Sequence, residues 1–168
     1  MDRFVSNFTN RLDSKGRVSI PAPFRAVLAR DGFEGLYVHP GLDAPALDAG
    51  GNALLAEINA LLETLSPYSE ERDFLSTALL GTSEILKVDP EGRVTFSEAL
   101  KAHAGITDTV TFVGHGHKFQ AWEPGRFRAH LDEARARVRE LKKNLGRSGA
   151  NGASVRSATS LSPGASGA

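Results

Sequence analysis

The residues best equipped for chemistry lie in one short stretch, Asn10-Arg11-Leu12-Asp13-Ser14-Lys15-Gly16-Arg17. Asp13 followed three residues later by Gly16 marks a tight turn, because an aspartate side chain can hydrogen-bond backbone N–H groups just ahead of it and glycine tolerates left-handed backbone. Lys15 stands at the tip of that turn, Arg11 just before it and Arg17 just after it. Three cations on a narrow projection suit a groove lined by phosphates. Arg17 offers a planar fork to a phosphate or to guanine O6 and N7, Lys15 a point charge, and the Asn10 amide can exchange hydrogen bonds with a base edge or a phosphate. The bland alternative is that Asp13 and Arg17 merely pair across the turn and stabilise it. A carboxylate beside phosphates is repelled, so Asp13 is assigned to holding the turn or orienting the arginine.

The same pattern occurs twice. Residues 12–20, LDSKGRVSI, align with residues 88–96, VDPEGRVTF, at a constant offset of 76, with Asp, Gly, Arg and Val coincident. Apolar and basic character persists for about two dozen residues further, pairing Phe24 with Leu100 and Arg25 with Lys101, so two copies of one supersecondary unit are expected. The copies differ where Glu91 takes the place of Lys15. Arg11, Asp13, Lys15 and Arg17 carry +2, whereas Lys87, Asp89, Glu91 and Arg93 carry zero. Copy one is therefore expected to be the main anion reader, with Arg93 an accessory contact and Asp89 and Gly92 shaping their turn as Asp13 and Gly16 do.

These turns need strands to hold them. Residues 4–8 and 84–88 alternate in the manner of strands, and Arg17-Val18-Ser19-Ile20 and Arg93-Val94-Thr95-Phe96 alternate polar with apolar, so each copy is expected to form a β-hairpin with Val18, Ile20, Val94 and Phe96 facing a common core. Short helices should follow, one opened by Pro21 and Pro23, the other capped by Ser97 and ended by Gly105. Further strands are expected at Leu36–His39, Thr109–Val113 and Gln120–Trp122. Between the copies, Leu54, Leu55, Ile58, Leu61, Leu62 and Leu65, then Phe74, Leu75, Ala78 and Leu79 beyond Ser66-Pro67, predict a helical hairpin. Phe127, Leu131, Ala134, Val138, Leu141 and Leu145 step by four and three among many arginines and lysines, predicting a C-terminal helix that packs on its own protein or on a neighbouring subunit. From Gly146 the chain turns to Ser, Gly and Ala and is expected to lack a fold.

The protein has 168 residues, 40% hydrophobic and 24% charged, which suits one globular unit or two small ones on a shared core. It has no cysteine, which excludes disulfides, thiolate metal sites and cysteine nucleophiles and points to a reducing compartment. No signal-peptide core and no membrane-length apolar run occurs, so a cytoplasmic protein without membrane contact is expected. The formal net charge of zero divides unevenly: residues 1–31 carry +3, 32–100 carry −9 and 101–168 carry +6. Basic ends around an acidic middle can bind a polyanion locally and orient it. His115-Gly116-His117 is a weak metal signal without further ligands, and no G-x-S-x-G elbow, phosphate-binding loop or dinucleotide fingerprint is present. Neither catalysis, a small-molecule substrate, a metal nor a cofactor is expected.

The tandem Asp-x-x-x-Arg turns, with Ile20-Pro21-Ala22-Pro23-Phe24-Arg25, Leu36-Tyr37-Val38-His39-Pro40, Arg72-Asp73-Phe74-Leu75 and Lys118-Phe119-Gln120-Ala121-Trp122, resemble the MraZ family of bacterial transcriptional regulators over roughly residues 4–145. The resemblance implies a mainly β fold with peripheral helices, a pseudo-twofold double-split β-barrel of two SpoVT-AbrB units. The corresponding division is unit 1 at 4–52, a helical-hairpin connector at 53–81, unit 2 at 82–125, a C-terminal helix at 126–145 and a disordered tail at 146–168. It also implies ring-shaped homo-oligomers that bind direct repeats of double-stranded DNA in the promoter of the division and cell-wall gene cluster, usually as a repressor, in the cytoplasm and at the nucleoid. DNA contacts in the family fall on the first turn, which raises Lys15 and Arg17 above the other basic residues. Two stretches depart from the family pattern: residues 43–53, DAPALDAGGNA, and the loop holding His115 and His117. An antitoxin-like interaction module of the same broad fold, its C-terminal extension occupying a protein partner, is the competing reading.

Overall fold

A computed structural model of the protein describes residues 3–159, with side chains for residues 3–147. The elements run β1 (Asn7–Arg11), β2 (Arg17–Ser19), α1 (Ala22–Asp31), β3 (Leu36–Pro40), β4 (Leu47–Gly50), α2 (Asn52–Glu63), α3 (Glu70–Leu79), β5 (Glu84–Leu86), β6 (Arg93–Thr95), α4 (Glu98–Ala104), β7 (Thr109–Gly114), β8 (Phe119–Trp122) and α5 (Pro124–Thr159). Two sheets form, both antiparallel: a six-stranded sheet in the order β1-β7-β8-β4-β3-β5, and a two-stranded ribbon of β2 and β6.

This topology corrects the expected hairpins. β1 pairs with β7 and β5 with β3, while β2 pairs with β6, so neither turn joins two strands that bond to one another. The reason is burial. Each return strand is three residues long, and pairing across the copies packs Val18 and Val94 side by side, with Ile20 and Phe96 beyond them in the same core. The first strand is also displaced from its expected position. Ser6 adopts φ 72° and breaks the run, so Phe4 makes an isolated bridge to Gly116 and the continuous strand starts at Asn7. Strand β4 was not expected: Leu47-Asp48-Ala49-Gly50 lacks β-branched residues and is too short for its alternation to stand out, yet it fills the gap between β3 and β8.

The core follows from aromatic packing under α1. Phe24 sits 5.3 Å from Phe4, 5.5 Å from Phe8 and 5.0 Å from Phe119 between ring centroids, and Phe112 lies 6.0 Å from Phe119. Such distances bring the benefit of offset and edge-to-face contacts on top of apolar burial. A second cluster lies beneath the helical hairpin, where Leu54, Ile58, Leu62 and Leu79 cover Tyr37.

Helix ends obey local rules. Pro23 stands in the first turn of α1 and Gly32, at φ 80°, closes it by donating to the Leu28 carbonyl. Ser97 Oγ accepts from Leu100 N–H at 3.3 Å to start α4, and Gly105 at φ 68° ends it, as expected from the sequence. Helix α2 is capped from outside. Gly51 has no side chain to offer, and Asp31, the last residue of α1, accepts from the N–H groups of Asn52 at 2.6 Å and Ala53 at 3.0 Å. A carboxylate that is unfavourable at the C-terminal end of its own helix thereby becomes favourable at the start of the next.

The chain parts into two compact units between Phe127 and Arg128. Within the described residues the second is helical: α5 runs to Thr159, beyond Leu145, and no proline interrupts the chain between Pro124 and Thr159. The part of the expected tail at residues 160–168 lies outside the described residues. Among the described residues no helix is long and apolar enough to cross a membrane.

Candidate nucleic-acid interface

The two turns have one geometry. In the first, Asp13 N–H donates to the Arg17 carbonyl at 2.8 Å and Gly16 N–H donates to the Asp13 carbonyl at 3.0 Å; in the second, the Asp89–Arg93 and Gly92–Asp89 equivalents are both 2.9 Å. Asp13 Oδ1 accepts from the backbone of Lys15 and of Arg17, each at 2.9 Å, and Oδ2 accepts from Arg17 Nε at 2.7 Å. Asp89 repeats this with Glu91 N–H at 3.0 Å, Arg93 N–H at 2.8 Å and Arg93 Nε at 2.8 Å. Each aspartate thus satisfies the donors that the tight turn turns away from other partners, and each glycine supplies a positive φ, 78° at Gly16 and 80° at Gly92.

The charges respond to this geometry. The Arg17 backbone N–H, the Arg17 guanidinium and the Lys15 N–H hold the Asp13 carboxyl below its ordinary value against the opposing effect of desolvation. Asp89 is lowered in the same way, by the Arg93 N–H first, then by the Arg93 side chain and the Glu91 N–H. Arg93 is raised, by its hydrogen bond to Asp89 first and then by the charges of Asp89, Glu91 and Asp13.

The β2–β6 ribbon brings the copies together. Its register, Arg17 opposite Thr95, Val18 opposite Val94 and Ser19 opposite Arg93, sets the turns at opposite ends of a three-residue pairing. Ile20 N–H donates to the Gly92 carbonyl at 2.9 Å, and Arg93 Nη1 reaches to 3.9 Å from Asp13 Oδ2. Lys15 is exposed at its tip and Arg11 is exposed on β1. The Asn10 amide is committed to a structural bond, donating from Nδ2 to the Ser19 carbonyl at 2.8 Å and tying β1 to β2. Arg25 from α1 lies over the second turn, where its Nε donates to the Ile20 carbonyl at 3.1 Å.

The other singled-out groups lie elsewhere. His117 pairs with Glu57 of α2, His115 N–H donates to the Lys118 carbonyl at 2.9 Å, and among the described residues no three His, Asp or Glu side chains are grouped as metal ligands. One polar cluster had no signal in the sequence. Asp48 of β4 is buried, and its carboxylate receives Gln120 Nε2 at 2.8 Å and Lys118 Nζ at 3.2 Å, with His39 Nε2 at 3.6 Å. Gln120 Oε1 in turn accepts from Trp122 Nε1 at 2.9 Å. His39, Asp48, Lys118 and Gln120 border a cavity of about 210 Å³. The cluster follows from β4 lying between β3 and β8, a neighbourhood that residue order does not reveal.

Interleaved copies of one strand-turn-strand unit, each turn built on an Asp-x-x-x-Arg clasp, define a duplicated β protein whose two turns share a ribbon. A family model described as "MraZ protein, putative antitoxin-like" matches residues 78–146. The transcriptional regulator MraZ of Methylocella silvestris is 73% identical over 145 residues, spanning 86% of this chain and 88% of its own length. The protein of the same name from Beijerinckia indica is 74% identical over 145 residues with the same coverage, and that from Xanthobacter autotrophicus 66% identical over 146 residues, spanning 87% of this chain and 93% of its own. The chain belongs to the MraZ family.

Proposed function

We propose that the protein is a sequence-specific DNA-binding transcriptional regulator that represses the division and cell-wall gene cluster by binding direct repeats in its promoter. The observation that carries this reading is the clasped first turn. Asp13 takes up the turn's own donors, so that Lys15 at the tip and Arg17 beside it are presented on a rigid support. Rigid presentation matters because a cation held in place loses little freedom when a phosphate or a guanine edge arrives. The names of the relatives support the same reading.

In this proposal the sheet and ribbon together form the double-split barrel of two SpoVT-AbrB units, the chains close into a ring, and the protein works in the cytoplasm at the nucleoid. One subunit with a few cations binds weakly, because electrostatic affinity scales with the number of phosphates neutralised. Several identical turns on one ring engage successive repeats, each further contact being intramolecular. The test is a binding titration against the promoter DNA upstream of its own cluster, at about 50 and 200 mM salt, with solution mass measured alongside. Tight, salt-sensitive binding by an oligomer, lost when the repeats are moved by half a helical turn, is the expected result. A monomer indifferent to that DNA at low salt overturns the reading.

The antitoxin-like description of the family model favours a second reading, in which the chain beyond Leu145 occupies a protein partner. Truncation after Leu145 separates the two. DNA binding is retained on the first reading, and a protein partner is lost on the second.

A further inference from the structure

Arg93 is the most heavily opposed cation at the site. Its Nε donates to Asp89 Oδ2 at 2.8 Å, its Nη2 lies 3.1 Å from Glu91 Oε2, and its Nη1 lies 3.9 Å from Asp13 Oδ2. Arg17, its counterpart in the first copy, meets one carboxylate among the described residues, Asp13 at 2.7 Å. Much of that contrast comes from a single difference between the repeats, Glu91 in place of Lys15.

Glu91 has no part in building its turn. The turn uses only its backbone N–H, which any residue other than proline supplies, and the first copy closes with the same hydrogen bonds around Lys15. The Glu91 side chain is 71% exposed and, among the described residues, its carboxylate pairs with Arg93. It projects from the same point of the second turn as the lysine tip of the first.

We propose that Glu91 is a restraint on DNA affinity: it occupies the outer edge of the Arg93 guanidinium and sets a negative charge at the tip of the second turn, so that the site works through the first. This rests on the DNA-binding reading above. A phosphate approaching Arg93 must displace a carboxylate already in place and is repelled by it meanwhile. Because Nε and Nη1 remain turned towards Asp89 and Asp13, removing Glu91 bares Nη2 without loosening the arginine's aim. Glu91 thereby sets how unequal the two copies are, and the full set of turns in an assembly would bind more tightly and less selectively without it.

The experiment is a fluorescence titration of the full-length chain with a labelled duplex of its own promoter and with a scrambled duplex of equal length, across a series of salt concentrations. The variants are Glu91→Gln, Glu91→Lys, Arg93→Ala, the double variant Glu91→Gln with Arg93→Ala, and Glu63→Gln as an equal charge change on helix α2. Glu91→Gln should tighten promoter binding several-fold and steepen the slope of log K against log salt by about 0.9, the increment for one further phosphate contact. Glu91→Lys should do more, and should gain proportionately most on the scrambled duplex. Glu63→Gln should change little, and the gain from Glu91→Gln should vanish when Arg93 is absent.

A Glu91→Gln variant that binds like wild type, or gains no more than Glu63→Gln, overturns the restraint, as does an undiminished gain without Arg93. Loss of binding together with a lowered melting temperature in Glu91→Gln overturns it too, since the carboxylate would then be holding the turn. Wild-type binding with an inert Glu91→Gln removes the restraint alone, whereas failure of wild type and every variant to bind removes the DNA reading beneath it.

Discussion

Val18 lies directly opposite Val94, 76 residues further along the chain, and both are almost wholly buried. This pair, flanked by Arg17 opposite Thr95 and Ser19 opposite Arg93, joins the second strand of one copy to the second strand of the other. The repeat is therefore not two independent modules in series. Each turn is flanked by two strands of its own copy, and each of those strands pairs with a strand of the sister copy, so a disturbance in either copy reaches both turns.

The two arginines should not contribute equally to DNA binding. Among the described residues, Arg17 faces one carboxylate and stands beside Lys15, whereas Arg93 faces three. Arg17→Ala should weaken promoter binding about tenfold or more, the usual range for losing a well-placed guanidinium, and Arg93→Ala should weaken it by much less. Equal losses in a side-by-side titration would contradict the asymmetry.

The glycines of the turns differ in what surrounds them. Both have positive φ, so alanine at either position meets backbone strain of about 1 kcal/mol. A methyl group at Gly16 would enter open space, while one at Gly92 would come within 2.3 Å of Arg25 Cδ. Arg25 must then leave its bond to the Ile20 carbonyl, worth about 1 kcal/mol net. Gly92→Ala should accordingly be the more destabilising of the two in urea unfolding, and a larger loss for Gly16→Ala would show that the Arg25 contact carries no weight.

Acid should unfold the protein in part through its turns. The folded carboxyls of Asp13 and Asp89 sit below their ordinary value of 3.8, so across that range the unfolded chain binds more protons than the folded one and stability rises with pH. Their contribution is complete above the ordinary value and fades as pH falls through the lowered one. Asp13→Asn and Asp89→Asn should each flatten the drop in melting temperature between about pH 5 and pH 3, and curves parallel to wild type over that range would deny the clasp a role.

Asp48 should matter to stability more than its place in an unpatterned segment suggests. Asp48→Ala leaves the Lys118 ammonium and the Gln120 amide without their buried acceptor, a loss of about 3 kcal/mol for breaking a buried ion pair from one side. Asp48→Asn, which keeps an acceptor for Gln120, should recover part of that. Chemical denaturation of the two variants provides the comparison.

What the order of residues determined was local. Asp13 and Gly16, Asp89 and Gly92 specify two tight turns because the bonds that close them span four residues or fewer, and Ser97 and Gly105 delimit a helix for the same reason. The offset of 76 established that the unit occurs twice, and alternation at Val18 with Ile20 and Val94 with Phe96 named a buried face. Alternation cannot name a strand's partner, because a three-residue strand with one apolar face fits its own hairpin or its sister's equally well. Only the tertiary structure decided that β2 pairs with β6, that β4 enters the sheet between β3 and β8, that Asp31 caps α2, and that Arg93 faces the carboxylates of Asp13 and Glu91 as well as Asp89. Those outcomes depend on which apolar surfaces meet when distant segments close on one core, a competition settled by packing across the whole chain rather than within any stretch of it.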